Sequence, residues 1–248
     1  MRTQMNPLIV SIYAFWVEKL PYITIAVFTL GMAMRIQRWL SAPKDHHLPK
    51  LDLVEGIKYV VLDVILFRKT FKRDKLTWAL VFAFHGSVGG IIFGHMRGFH
   101  LWSASLFDPL GHWMADWMVH TLPVYMGWIL IGSTFLLLVR RIRLEDKQLH
   151  SLTNDYGALL IVLIAAVVGQ GMRLFPPESI PTVIYSVVFI PKYIVLHLEV
   201  VPSYHWFHWH VLMTQLFVIY TPFSKFIHII SGVISPAFYG SRRKELDI

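Results

Sequence analysis

The 248-residue chain carries 13 histidines and no cysteine. Imidazole is therefore the donor with which it would hold a transition metal. The missing thiol removes disulfides, thiolate nucleophiles, zinc–thiolate sites and cysteine-held iron–sulfur clusters. Four histidines stand out by position. His85 and His95 lie ten residues apart in one apolar segment, and His210 and His228 lie eighteen apart in another. An ionisable side chain inside a membrane-length apolar stretch is costly to place and by default points to function. A lone histidine there is most simply a hydrogen-bonded packing group; two helices that each bear two favour metal ligation.

Composition says what must position these rings. Hydrophobic residues make up 55% of the chain and charged residues 15%, whereas a soluble domain carries about 25% charged residues. Lipid is the solvent that such a chain requires. Five segments reach the roughly 20 apolar residues of a bilayer span: 20–40, 77–97, 122–140, 156–175 and 206–233. The pattern predicts an all-α integral membrane protein, one domain over 1–248, built as a five-transmembrane-helix bundle. Residues 1–16 read as an uncleaved lead-in, interrupted before the first span by Glu18 and Lys19.

Charge sets the orientation. Basic residues crowd the segment between the first two spans, recur as Arg140, Arg141, Arg143 and Lys147, and close the chain as Arg242, Arg243 and Lys244. Five spans place all of these on the cytoplasmic side, with the N-terminus outside and the C-terminus cytoplasmic. A sixth candidate, 180–196, would send the basic tail outward, so 176–205 is expected to be an interfacial outer segment. The net charge of +8 is then a topology signal for a multi-pass protein of the cytoplasmic membrane, without a nucleic-acid partner. Residues 41–76 form the long cytoplasmic loop. Its apolar positions Val54, Ile57, Val61, Val64 and Ile65 repeat with helical spacing, which predicts an amphipathic helix at the membrane surface or against a partner.

Helical geometry pairs the four histidines. At about 100° per residue, His210 and His228 share one face, His85 and His95 are about 80° apart, and His205 and His208 lie about 140° and 160° from the His210 face. The second span runs outward and the fifth inward, so His95 pairs with His210 at the outer level and His85 with His228 at the inner level. Mononuclear zinc would need three or four donors converging at one depth. Two opposed imidazoles suit the axial positions of haem, whose porphyrin fills the other four. The rise between ligands is about 15 Å on the second span and about 27 Å on the fifth, so tilt or a kink near Pro222 must absorb the difference. Gly86, Gly90 and Gly94 form a stripe expected to pack against a neighbouring helix.

These residues resemble the di-haem cytochrome b subunits of the respiratory nitrate reductase gamma-subunit superfamily. The resemblance rests on His85, Gly94-His95, His210 and the run Pro222-Phe223-Ser224-Lys225-Phe226-Ile227-His228, and covers about residues 77–235. The segment 66–75, with Trp78, Phe84-His85 and His95-Met96-Arg97, is more similar to the branch serving heterodisulfide-reductase-like iron–sulfur subunits, as in methanogen heterodisulfide reductase and sulfate-reducer transmembrane complexes. Nitrate reductase is the runner-up. The resemblance implies two haem b groups, a quinol or analogous lipid-soluble carrier beside the outer one at Gly94 and His95, and a cytoplasmic iron–sulfur subunit, with room for further membrane or periplasmic cytochrome subunits. The lysine of the family's carrier site has no clear counterpart here.

Arg97, His100 and Arg173 lie near the outer level. Arg97 and Arg173 are candidates for the quinone site or for haem propionates, with interfacial anchoring as the simpler role for all three. His112 and His120, with Trp102, Trp113 and Trp117, read as an interfacial aromatic belt, and His46 and His47 as solvated loop residues. A different-class alternative, a transporter with a histidine-lined pathway, would carry acidic residues or broken helices at mid-membrane, and the five spans contain no Asp or Glu. The expectation is an electron-transfer subunit of a quinol-linked oxidoreductase complex, incomplete as an enzyme on its own, that meets its partner through the loop 41–76 and the tail 238–248.

Overall fold

A computed structural model describes residues 6–42, 52–144, 153–176 and 204–242. The sixth candidate segment 180–196, His46, His47 and the end of the tail fall outside them. The described residues form helices α1 (Pro7–Leu40), α2 (Leu53–Tyr59), α3 (Arg68–Arg73), α4 (Lys75–Met96), α5 (His112–Arg143), α6 (Thr153–Leu174), α7 (His205–Tyr220) and α8 (His228–Arg242), with no strand among them. Helices α1, α4, α5 and α6 are each long and apolar enough to cross a membrane, and α7 joins α8 through a bend of 80°, which makes a fifth span if the pair is counted as one.

Three expectations change. The first helix starts at Pro7 and runs through Glu18 and Lys19 by widening into a π-helical turn at Phe15–Lys19. Both charged residues are exposed, while Tyr13 and Val17 on the other face are buried. The lead-in is therefore part of the span. The third span starts at His112 and not at residue 122, so much of the aromatic belt is helical, with Trp113 exposed and His120 Nε2 3.8 Å from Asp116. The fifth span is not one straight helix. Pro222 lacks an amide proton and breaks the ladder, and two short 3₁₀ turns, Thr221–Phe223 and Lys225–Ile227, replace the α-helix there.

Contacts run in sequence from α4 to α5, α5 to α6, α6 to α7 and α7 to α1, while α8 folds onto α2. Helices α4 and α7 share no extensive face. Between lipid-solvated helices the hydrophobic effect is weak, so close packing and hydrogen bonds hold the bundle. On α5 a side chain at Gly127 would overlap Gln170 of α6, whose Nε2 donates to Val124 O at 3.2 Å. Many large apolar residues are exposed, among them Leu30, Ile92 and Phe135, as a lipid-facing surface requires.

One end of the bundle gathers charge. Asp74 caps α4 by accepting from the Leu76 and Thr77 amides, and Arg140 of α5 reaches it at 2.7 Å. Its bonds to Thr77, with Arg140 beside it, hold the Asp74 carboxyl down at about 2. A depressed carboxylate stabilises above its unfolded pKa and loses that contribution only as pH falls through the folded value, so this cap is intact at any physiological pH. Asp155 of α6 is buried and accepts from Arg141 and Lys225, each at 2.8 Å. Arg140, Arg141 and Lys225 are thus held together at this end by Asp74 and Asp155.

The segment 52–73 is helical as the spacing predicts, but it is split at Phe67, which takes a left-handed φ of 49°. Its buried face is Gly56, where an added Cβ would stand 2.9 Å from the Ala237 carbonyl oxygen of α8. The apolar positions Val54, Ile57, Val61 and Ile65 remain exposed.

Candidate functional site

Helix α4 carries His85 and His95, α7 carries His210, and His228 opens α8 just beyond the break. The bend brings His228 toward α4, so that the His85 and His228 ring centroids lie 6.0 Å apart. The His95 and His210 centroids lie 6.2 Å apart. The same-face arithmetic for His210 and His228 therefore does not apply, because no continuous helix joins them. The 80° bend removes the mismatch in rise that a straight helix would impose.

The spacing of the rings has a chemical meaning. Two metal–imidazole bonds of about 2 Å each, plus the two ring radii, put opposed imidazole centroids roughly 6 Å apart. Among the described residues no group of three or more His, Cys, Asp or Glu is placed to hold a metal ion. The donor set is thus two imidazoles per site, which suits a metal that brings its own equatorial ligands.

Ring tautomers point the same way. His85 Nδ1 lies 2.9 Å from Val81 O, His95 Nδ1 2.8 Å from Ile91 O, and His228 Nδ1 2.6 Å from Lys225 O. A carbonyl oxygen only accepts, so each Nδ1 carries the proton and donates. That leaves the Nε2 lone pair of the neutral ring for a metal and fixes the ring's orientation. The His210 ring is turned toward α6, where it interacts with the Ala165 backbone.

The His85–His228 pair lines a cleft of about 280 Å³ with Phe84, Leu137, Leu159 and Val162. Arg140, Arg141 and Lys225 also line it, and the Arg140 Nε is buried without a partner. Phe67 sets its ring 4.8 Å from that of His85. Beside the other pair, Gly169 of α6 abuts His210: an added Cβ would meet Cε1 at 3.0 Å and Nδ1 at 3.2 Å. Sequence reasoning missed Gly169, Phe67 as a neighbour of His85, and the Arg141–Asp155–Lys225 group. Of these, the helix-end position of Arg141 and the place of Lys225 in the run 222–228 were visible in the sequence.

The glycine stripe does not behave as expected. A Cβ at Gly90 would touch Met126 of α5 at 3.4 Å, but at Gly86 and Gly94 it would meet nothing within 4 Å. The stripe lies on the side of α4 opposite the two histidines, and at Gly86 and Gly94 no described helix covers it. The other histidines near the pair face elsewhere. His208 stacks on Tyr13 of α1 with centroids 4.0 Å apart and donates to Tyr204 O, and His205 Nδ1 bonds the Tyr13 hydroxyl at 2.6 Å. Arg173 sits in the last turn of α6. Arg97 caps the end of α4, and His100 sits exposed in the following turn with φ 57°.

Comparison with known proteins gives consistent matches. The "Hdr-like menaquinol oxidoreductase cytochrome b-like subunit" of Archaeoglobus fulgidus is 24% identical over 253 residues, spanning 87% of this chain and 76% of that protein. A subunit of the dihydromethanophenazine:CoB–CoM heterodisulfide reductase of Methanosarcina thermophila is 22% identical over 235 residues, 73% of this chain and 86% of that protein. A second Hdr-like cytochrome b-like subunit, from Archaeoglobus profundus, is 22% identical over 264 residues, 91% of this chain and 78% of that protein. The family model "Nitrate reductase gamma subunit" matches residues 68–244, which contain both histidine pairs and the break between α7 and α8. The chain belongs to the nitrate reductase gamma subunit family.

Proposed function

We propose that the chain is the membrane cytochrome b subunit of a respiratory oxidoreductase complex. It connects a quinol-type carrier with a cytoplasmic iron–sulfur subunit of heterodisulfide-reductase type. Two haem b groups are held by His85 with His228 and by His95 with His210. The observation that carries this is the pair of ring separations, 6.0 and 6.2 Å, between helices that otherwise barely touch.

The residues present fit the group. Each pair would supply two imidazole donors, and at the His85–His228 cleft the Arg140 Nε is buried without a partner. A bound haem would supply a one-electron iron couple, with both imidazoles of a pair committed to holding it. The backbone carbonyls of Val81, Ile91 and Lys225 orient three of the rings. Arg140, with Arg141 and Lys225 beside it, offers cations to a carboxylate at the His85–His228 cleft, while Arg97 and Arg173 serve the other level as propionate or carrier partners. Gly94 and His95 mark the carrier site.

The positive-inside bias places the charged end of the bundle in the cytoplasm, which makes His85–His228 the inner pair and His95–His210 the outer. Residues 41–76 and 238–248 then face the partner. Both Archaeoglobus relatives carry names of the heterodisulfide-reductase-like kind, which favours that branch over a nitrate reductase gamma role, for which the family description speaks. The broken helix, also a device of transporters, here aims one imidazole at another, and the acidic side chain at the cleft, Asp155, is tied to Arg141 and Lys225.

The test uses the complex purified in mild detergent. A reduced menaquinol analogue reduces its b-type absorbance, and an iron–sulfur protein co-purifies. Absorbance that responds to dithionite and not to quinol, or co-purification of a molybdenum enzyme, contradicts the reading.

A further inference from the structure

Helix α1 lies outside the stretch matched by the family model, yet it is sewn to α7 along its length. The contacts fall on one face: Tyr13, Thr24, Gly31 and Arg35. Tyr13 bonds His205; Thr24 donates to Gln215 Oε1 at 3.2 Å; and Gln215 Nε2 donates at 2.8 Å to the Trp16 carbonyl, within the π-helical turn of α1. At the end of α7, Arg35 places both Nε and Nη2 on the Pro222 carbonyl, at 3.2 and 2.8 Å. Four residues earlier, Gly31 admits the turn itself: a Cβ there would lie 2.8 Å from Pro222 Cβ and 2.8 Å from Phe223 Cζ.

From this geometry we infer that α1 is the positioning element for the inner ligand, with Gly31 and Arg35 holding the α7–α8 break that aims His228 at His85. The inference rests on the proposed di-haem function. The physical need is clear. A break frees backbone carbonyls that water would otherwise satisfy, and in a membrane each must find a donor in the protein. Arg35 meets that need at Pro222 with a charge-assisted pair of bonds. On the opposite side Lys225 is tied to Asp155, and the Lys225 carbonyl in turn accepts a hydrogen bond from His228 Nδ1. The ligand is thus reached from α1 through Pro222 and from α6 through Lys225. Arg35 touches neither ring, so it acts by position.

The experiment compares Arg35→Met, Arg35→Lys and Gly31→Ala in the assembled complex, reading haem content, the midpoint potential of each haem and their low-spin EPR signals. The inner haem is identified as the one lost in His228→Ala. Arg35→Met and Gly31→Ala shift or abolish the inner signal and leave the outer at its wild-type position, and Arg35→Lys, which retains a cation, shifts it less. Equal shifts in both haems, or wild-type signals in Arg35→Met, overturn the inference. If Arg35→Met does not accumulate, Gly31→Ala and Arg35→Lys decide the matter by the same signals. Wild-type protein without two haems fails the functional reading first, which keeps the two failures distinguishable.

Discussion

Replacing His228 by alanine removes the same haem as replacing His85, and each variant keeps the haem held by His95 and His210. These substitutions carry the largest expected effect: one haem per chain is lost, and quinol-driven reduction of the cytoplasmic partner falls to background. The reason is geometric. The rings sit 6.0 Å apart across a cleft whose remaining lining is mostly apolar or basic, so no third imidazole stands ready to replace either one. His208 is engaged with Tyr13 and Tyr204, and His205 with Tyr13. Redox titration of the b-band, with EPR of the oxidised form, separates the two haems. Loss of different haems in the two variants contradicts the pairing.

The second large effect is at Gly169. Leucine there removes the outer haem and spares the inner, because even a Cβ would stand 3.0 Å from Cε1 of His210. That is tighter than ordinary contact, and the longer side chain has to displace the ring or α6. Alanine is the graded control: it demands a shift of only a few tenths of an ångström and is expected to lower the occupancy of the outer haem without abolishing it. Haem content and the EPR signal assigned by His210→Ala read the outcome. If Gly169→Leu retains the outer signal unchanged, the ring does not sit against α6 as described.

Much of the site was legible before the fold. The direction of successive spans, inferred from basic residues, paired His85 with His228 and His95 with His210, and the structure brings the same rings together. The unequal rise on the two helices pointed to a kink near Pro222. Its size was not legible, because proline ends a ladder without setting the new direction. That direction comes from Arg35, Gly31 and Asp155, which lie far away in sequence and are joined only in the folded bundle. The start of α1 was misread for a related reason. Glu18 and Lys19 look like an interruption to a hydropathy window, but a helix reaching the interface tolerates charges on an exposed face. The glycine stripe, read as a packing seam, is one only at Gly90, which meets Met126 of α5, because Gly-x-x-x-Gly describes any smooth surface; no described residue lies within 4 Å of a Cβ at Gly86 or Gly94.

What sets this reading apart from a generic membrane anchor or a histidine-lined pathway is stoichiometry. A pyridine haemochrome assay against protein mass measures it directly on purified complex, with the signal of any separate cytochrome subunit subtracted. The account predicts two b-type haems for each copy of this chain, and a value near one or zero contradicts it.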